Sequence, residues 1–125
     1  MSSYALVLRP AEPADAEAIE SLYQALAPNP AVRVLPERIA QVGADPNTEL
    51  LVAEVEGRVL GVALLTLCLD VMFREQPFAV VENVVVAPEC RGQGVGSALF
   101  ALGLTHAHNR FFPGPPTAAA PAPGG

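Results

Sequence analysis

One stretch constrains this chain more than any other: Phe78 to Ser97, which reads FAVVENVVVAPECRGQGVGS. Val80, Val81, Val84, Val85 and Val86 form an apolar, β-branched run broken only by Glu82 and Asn83, the pattern of a strand covered on both faces. Pro88 ends that strand. Arg91-Gly92-Gln93-Gly94-Val95-Gly96 then leads directly into Ser97-Ala98-Leu99-Phe100-Ala101-Leu102, an apolar, helix-forming run. A strand, a glycine loop and a helix in succession make an anion holder. The unpaired N–H groups of a helix's first turn supply donors and partial positive charge, and glycines let the backbone approach a phosphate closely.

Spacing decides which anion. A dinucleotide fingerprint requires Gly-x-Gly-x-x-Gly, but Ser97 stands where the third glycine should fall and Gly114 where the ribose-binding acid should be. A nucleoside-triphosphate loop requires Gly-Lys-Ser or Gly-Lys-Thr at the helix start, and the chain has no lysine-bearing match. A carboxylate inside an apolar strand is costly to desolvate, so Glu82 reads as a candidate general base, its pKa raised by burial. By strand alternation Asn83 points to the opposite face.

The pattern that fits is Arg-x-x-Gly-x-Gly, carried by Arg91, Gly94 and Gly96 behind an apolar strand bearing a glutamate. Over Val81 to Leu99 it resembles the coenzyme A signature of the GNAT superfamily, the acetyl-CoA-dependent N-acetyltransferases. The resemblance implies an α/β fold with a mixed sheet and acetyl-CoA as cosubstrate. It implies a loop of Arg91, Gly92, Gln93, Gly94, Val95 and Gly96, with Ser97, whose main-chain N–H groups cradle the coenzyme A diphosphate. Val84, Val85 and Val86 would bond the pantetheine arm through their main chain, one N–H polarising the thioester carbonyl. Glu82 would take a proton from the attacking amine of a small-molecule or peptide acceptor. A non-catalytic coenzyme A-binding or partner-dependent module is the competing reading.

The rest of the chain has the matching element order. Tyr4 to Leu8 reads as a first strand. A helix starts at Pro13, with Asp15 and Glu17 facing its dipole and Ala18, Ile19, Leu22, Tyr23 and Leu26 forming one buried stripe. A second helix runs from Pro36 to Val42, with Ile39 and Val42 inward and Gly43 as its C-terminal cap. Glu49 to Val55 and Arg58 to Leu69 are strands joined by a tight Glu56-Gly57 turn, and Gly61 marks a bulge. The order is strand, helix, helix, three strands, helix, which is that of a GNAT domain without its fifth strand, fourth helix and last two strands. Residues 1–110 read as that truncated domain. Residues 111–125, rich in Pro, Ala and Gly, read as a disordered tail. With no fifth strand, the fourth is an exposed apolar edge that calls for a homodimer or a complementing partner.

Composition excludes other classes. A net charge of −6 argues against a nucleic-acid binder and is compatible with a cationic amine substrate. The longest apolar run, Val59 to Leu69, is about half of what crosses a bilayer, and no export signal stands at the N-terminus, so no membrane role and a cytoplasmic location are expected. Cys68 and Cys90 lack metal or redox spacing: Cys68 reads as a buried small hydrophobe, and Cys90, beside Arg91, as a thiol without a base. His106 and His108 face different sides of a helix and do not share a metal.

Overall fold

In the computed structural model, which describes residues 6–72, 74, 77–92, 94, 96–99, 101, 103 and 105, the two sequence periods settle into three layers. The strands are β1 (Leu6–Pro10), β2 (Thr48–Val55), β3 (Arg58–Cys68) and β4 (Phe78–Val86), antiparallel throughout and ordered β1-β2-β3-β4. Helices α1 (Ala16–Leu26) and α2 (Pro36–Ala44) cover one face. The other carries a third helix, α3, whose described residues are 96–99, 101, 103 and 105. The fold is the α/β arrangement read from the sequence. The tail at 111–125, Tyr4, His106 and His108 lie outside the described residues.

Alternation along β2 and β3 feeds both faces. Val52 and Val62 point toward Ile19 and Leu22 of α1 and Ile39 of α2, whereas Leu51, Ala53, Ala63 and Leu65 meet Leu99 of α3. All but Leu22 and Ile39 of these are essentially without solvent contact. Each Val, Leu or Ile among them contributes about 1.5–3 kcal/mol through burial. β4 differs from the sequence reading: of its nine residues only Val85 is buried, because β4 ends the described sheet.

Glu56 and Gly57, both in the left-handed region at φ 51° and 80°, make the β2–β3 turn. The Gly61 bulge is present, since Ala53 pairs with Gly61 while Glu54 pairs with Val59, leaving Leu60 as the extra residue. Gly61 also has a packing reason. A Cβ there would sit 3.1 Å from Leu99 Cδ2 and 3.4 Å from the Val85 carbonyl oxygen. Gly61→Val is therefore expected to cost about 1–3 kcal/mol by overpacking. A chemical melt in which the variant matches the parent midpoint would show that α3 moves aside freely.

The start of α1 is tied down by charge. Pro13–Asp15 form a 3-10 turn, and the Asp15 carboxylate, 8% exposed, accepts two bonds from the Arg9 guanidinium at 2.8 and 2.9 Å and one from the Glu12 N–H at 2.7 Å. Arg9 Nε lies 3.3 Å from Glu54 on the neighbouring strand. Asp15 is thus a buried ion-pair partner more than a dipole-facing surface acid. Its pKa is held below the ordinary 3.8 mainly by the Arg9 bonds, against desolvation. A depressed carboxylate contributes stability that is present above its unfolded value and is lost as pH falls through the folded one. Asp15→Asn should cost about 2 kcal/mol near neutrality and flatten the loss of stability below about pH 4. Melting temperature against pH for both chains checks this, and parallel curves would remove Asp15 as the cause.

Smaller differences have local reasons. Helix α2 runs through Gly43 to Ala44 and is closed by the Asp45 N–H bonded to the Val42 carbonyl, so Gly43 is not a left-handed cap. Leu26, in the last turn of α1, is 58% exposed and so stands outside the core stripe. Cys68, read as a buried small hydrophobe, is only half-buried, and Cys90 is buried.

Candidate functional site

The C-terminal end of β4 is fixed by the Ala87 N–H, which donates to the Leu60 carbonyl at 2.8 Å. Pro88 then turns the chain through Pro88–Cys90, closed by the Cys90 N–H on the Ala87 carbonyl at 2.9 Å. Gly92 and Gly94 follow at φ 83° and 79°. A side chain is strained at such angles, so the glycines are needed for the backbone path itself. The Ala98 N–H on the Gly94 carbonyl, 2.9 Å, forms the first turn of α3. Gly96 brings that turn against β4: a Cβ there would lie 3.3 Å from Val86 Cγ2.

This geometry leaves donors exposed. The N–H groups of Gly92, Gly94 and Gly96 have no acceptor among the described residues. The Arg91 N–H is different, since it donates to the Pro88 carbonyl at 3.3 Å, so the cradle of free amides begins at Gly92 and not at Arg91. The Arg91 guanidinium folds back, its Nε donating to the Val86 carbonyl at 3.4 Å. Val86 can accept it because pairing alternates: Ala87 and Val85 face β3, which turns the main chain of Val86 to the open edge. Val85 accordingly spends its main chain on Val62.

A groove of about 490 Å³ results, lined by Leu26, Val84, Val85, Val86, Arg91, Gly96 and Ser97. That lies within the range of small-ligand sites, about 300–1,000 Å³. Six of the residues singled out in the sequence converge here. Gly92 and Gly94 stand exposed on the loop, and Gln93 and Val95 lie outside the described residues. Leu26 joins the groove from α1. Its period is that of a core residue, but its place on the last turn before Ala27-Pro28 is the signal that it stands at a rim.

Glu82 sits on β4 outside the groove lining and is exposed, so the burial argued for it from the apolar run does not hold. The run is apolar, but β4 has a strand on one side only among the described residues. Glu82 pairs with Leu64 and Val85 with Val62, so β4 carries one extra residue between them. Asn83, at φ 53°, makes this bulge, and simple alternation fails there. The Glu-Asn break in the valine run was its only trace in the sequence. Among the described residues no group of three His, Cys, Asp or Glu could hold a metal, and no helix is long and apolar enough to cross a membrane.

Known proteins carry the same frame. The family model described as "Acetyltransferase (GNAT) family" matches residues 16–113. An inferred acetyltransferase from Agrobacterium tumefaciens str. C58 superposes with a TM-score of 0.74 at 28% identity, over 84% of this chain and 75% of its own. An acetyltransferase from Trypanosoma brucei gives 0.71 at 26%, over 85% and 77%. Aminoglycoside N-acetyltransferase AAC(6')-Iy, solved in complex with CoA, gives 0.71 at 18%, over 87% and 73%, a likeness of fold alone. No curated protein sequence matches the chain significantly.

Proposed function

Because the chain belongs to the GNAT family of acetyltransferases, we propose that it moves an acetyl group from acetyl-CoA to an amine acceptor by direct attack. The observation that carries this reading is the set of glycine N–H groups at the head of α3 that have no acceptor among the described residues, opening beside a groove walled by β4 and Arg91. These residues fit an acyl-CoA. The N–H groups of Gly92, Gly94 and Gly96 bind the diphosphate, with charge from Arg91. The main chain of Val86, turned to the open edge, takes the amide of the pantetheine arm. The Asn83 bulge interrupts the ladder and frees strand N–H groups near Val84 to polarise a carbonyl oxygen. Bound acetyl-CoA supplies the thioester at whose carbonyl carbon the amine displaces the coenzyme A thiolate. Glu82, exposed and so reachable by the acceptor, takes the proton the amine gives up, directly or through a water.

The outer edge of β4, unpaired among the described residues, is where a second copy or a complementing chain would add a strand. A cytoplasmic location belongs to the same proposal. Calorimetric titration of acetyl-CoA, followed by thiol release with a panel of amines, tests it. Binding with release supports the transferase. Binding without release favours a non-catalytic coenzyme A module, a reading that the position of Glu82 outside the groove lining keeps in play. Absence of binding removes both.

A further inference from the structure

A second cavity, of about 280 Å³, opens between α1, α2 and the sheet. Its floor is apolar, with Ile19 and Ile39 buried and Leu50 and Leu64 half-buried. Its rim is not. Arg33, in the connection between the helices, and Arg38, in the first turn of α2, both line it. Arg33 reaches Glu20 only at 3.9 Å with its side chain 71% exposed, a pairing that holds the guanidinium weakly. Arg38 pairs with no carboxylate among the described residues. In a chain of net charge −6, two of seven basic residues therefore meet at one small opening with most of their donors unspent. Guanidinium forks match carboxylate and phosphate oxygens, and they bind them best beside a surface that excludes water.

The cavity also adjoins the strand that carries the proposed base. Leu64, in its floor, is the register partner of Glu82, which places the two on neighbouring strands beside the β4 bulge. Tyr23 lines this cavity and Leu26, one turn later on α1, lines the larger groove. The two openings share that helix as a wall. A volume just under the usual lower bound for ligand sites, about 300 Å³, suits a compact molecule and excludes a long peptide.

Building on the transferase reading, we infer that this cavity selects an acceptor whose amine is joined through a short apolar body to an anionic group, a carboxylate or a phosphate, held by Arg33 and Arg38. The amine end then lies toward Glu82, past Leu64. The acidity of the whole chain thus hides a local preference of the opposite sign.

The test is binding by calorimetry, with and without coenzyme A, of two matched pairs: 6-aminohexanoate against 6-aminohexanamide, and 3-aminopropyl phosphate against 3-aminopropanol. The anionic member of at least one pair is expected to bind tenfold or more tightly than its neutral counterpart, and which pair responds names the anion. In the double variant Arg33→Gln, Arg38→Gln that preference should vanish while acetyl-CoA affinity is unchanged. Equal binding within both pairs, no binding of either anion, or a preference that survives in the double variant overturns the inference. Failure of acetyl-CoA to bind overturns the transferase reading instead, because the pair ratios are also read without the cofactor.

Discussion

Glu82→Gln is expected to lower acetyl transfer by at least a hundredfold while leaving acetyl-CoA affinity within about twofold of the parent. A positioned general base contributes about 10²–10⁴ to rate, and glutamine keeps the shape and hydrogen-bonding reach of glutamate without its basicity. The side chain is exposed and lines no part of the groove, so the substitution should leave folding and cofactor contacts undisturbed, within about 0.5 kcal/mol. The comparison requires single-turnover rates at saturating acetyl-CoA together with the dissociation constant. Equal rates in the two chains would take Glu82 out of the mechanism and leave proton removal to solvent.

Gly94→Val should have the complementary effect. Gly94 sits at φ 79°, and a Cβ there would meet nothing within 4 Å among the described residues, so the substitution acts through the backbone. A β-branched residue avoids that region, at a cost of about 1–2 kcal/mol, and a shifted loop also loses charge-assisted bonds to the diphosphate. Together these predict an acetyl-CoA dissociation constant raised about a hundredfold, with the rate at saturation much less affected. The melting temperature should fall only slightly, since the loop is exposed. If calorimetry gives the parent affinity for the variant, the diphosphate does not rest on this loop.

How much of this was visible beforehand depends on the range of the interactions involved. β4 was legible to its end residues, because a β-branched run bounded by Pro77 and Pro88 admits few alternatives. The Glu56-Gly57 turn and the Gly61 bulge were legible because glycine placement reports backbone angle locally. The glycine loop was legible for the same reason. What stayed hidden was set by distant parts of the chain. The exposure of Glu82 depends on what stands beside β4, which no window around Glu82 contains. The Asn83 bulge exists only relative to β3, and asparagine merely tolerates the left-handed angle it requires. Leu26 has the right period for the core, but period gives a direction and not the extent of the surface opposite. Arg33 and Arg38 lie five positions apart in sequence, and only the packing of α1 against α2 makes them neighbours of one opening.

The ion cluster around Arg9 reaches further than the strands it joins. It anchors the root of α1 at Asp15, while the far tip of that helix, Leu26, forms a wall of the groove. A helix rises about 1.5 Å per residue, so α1, held to the sheet by Ile19 and Leu22, links the cluster to the groove over roughly 16 Å. Protonating Asp15 therefore loosens one end of a helix whose other end borders the opening.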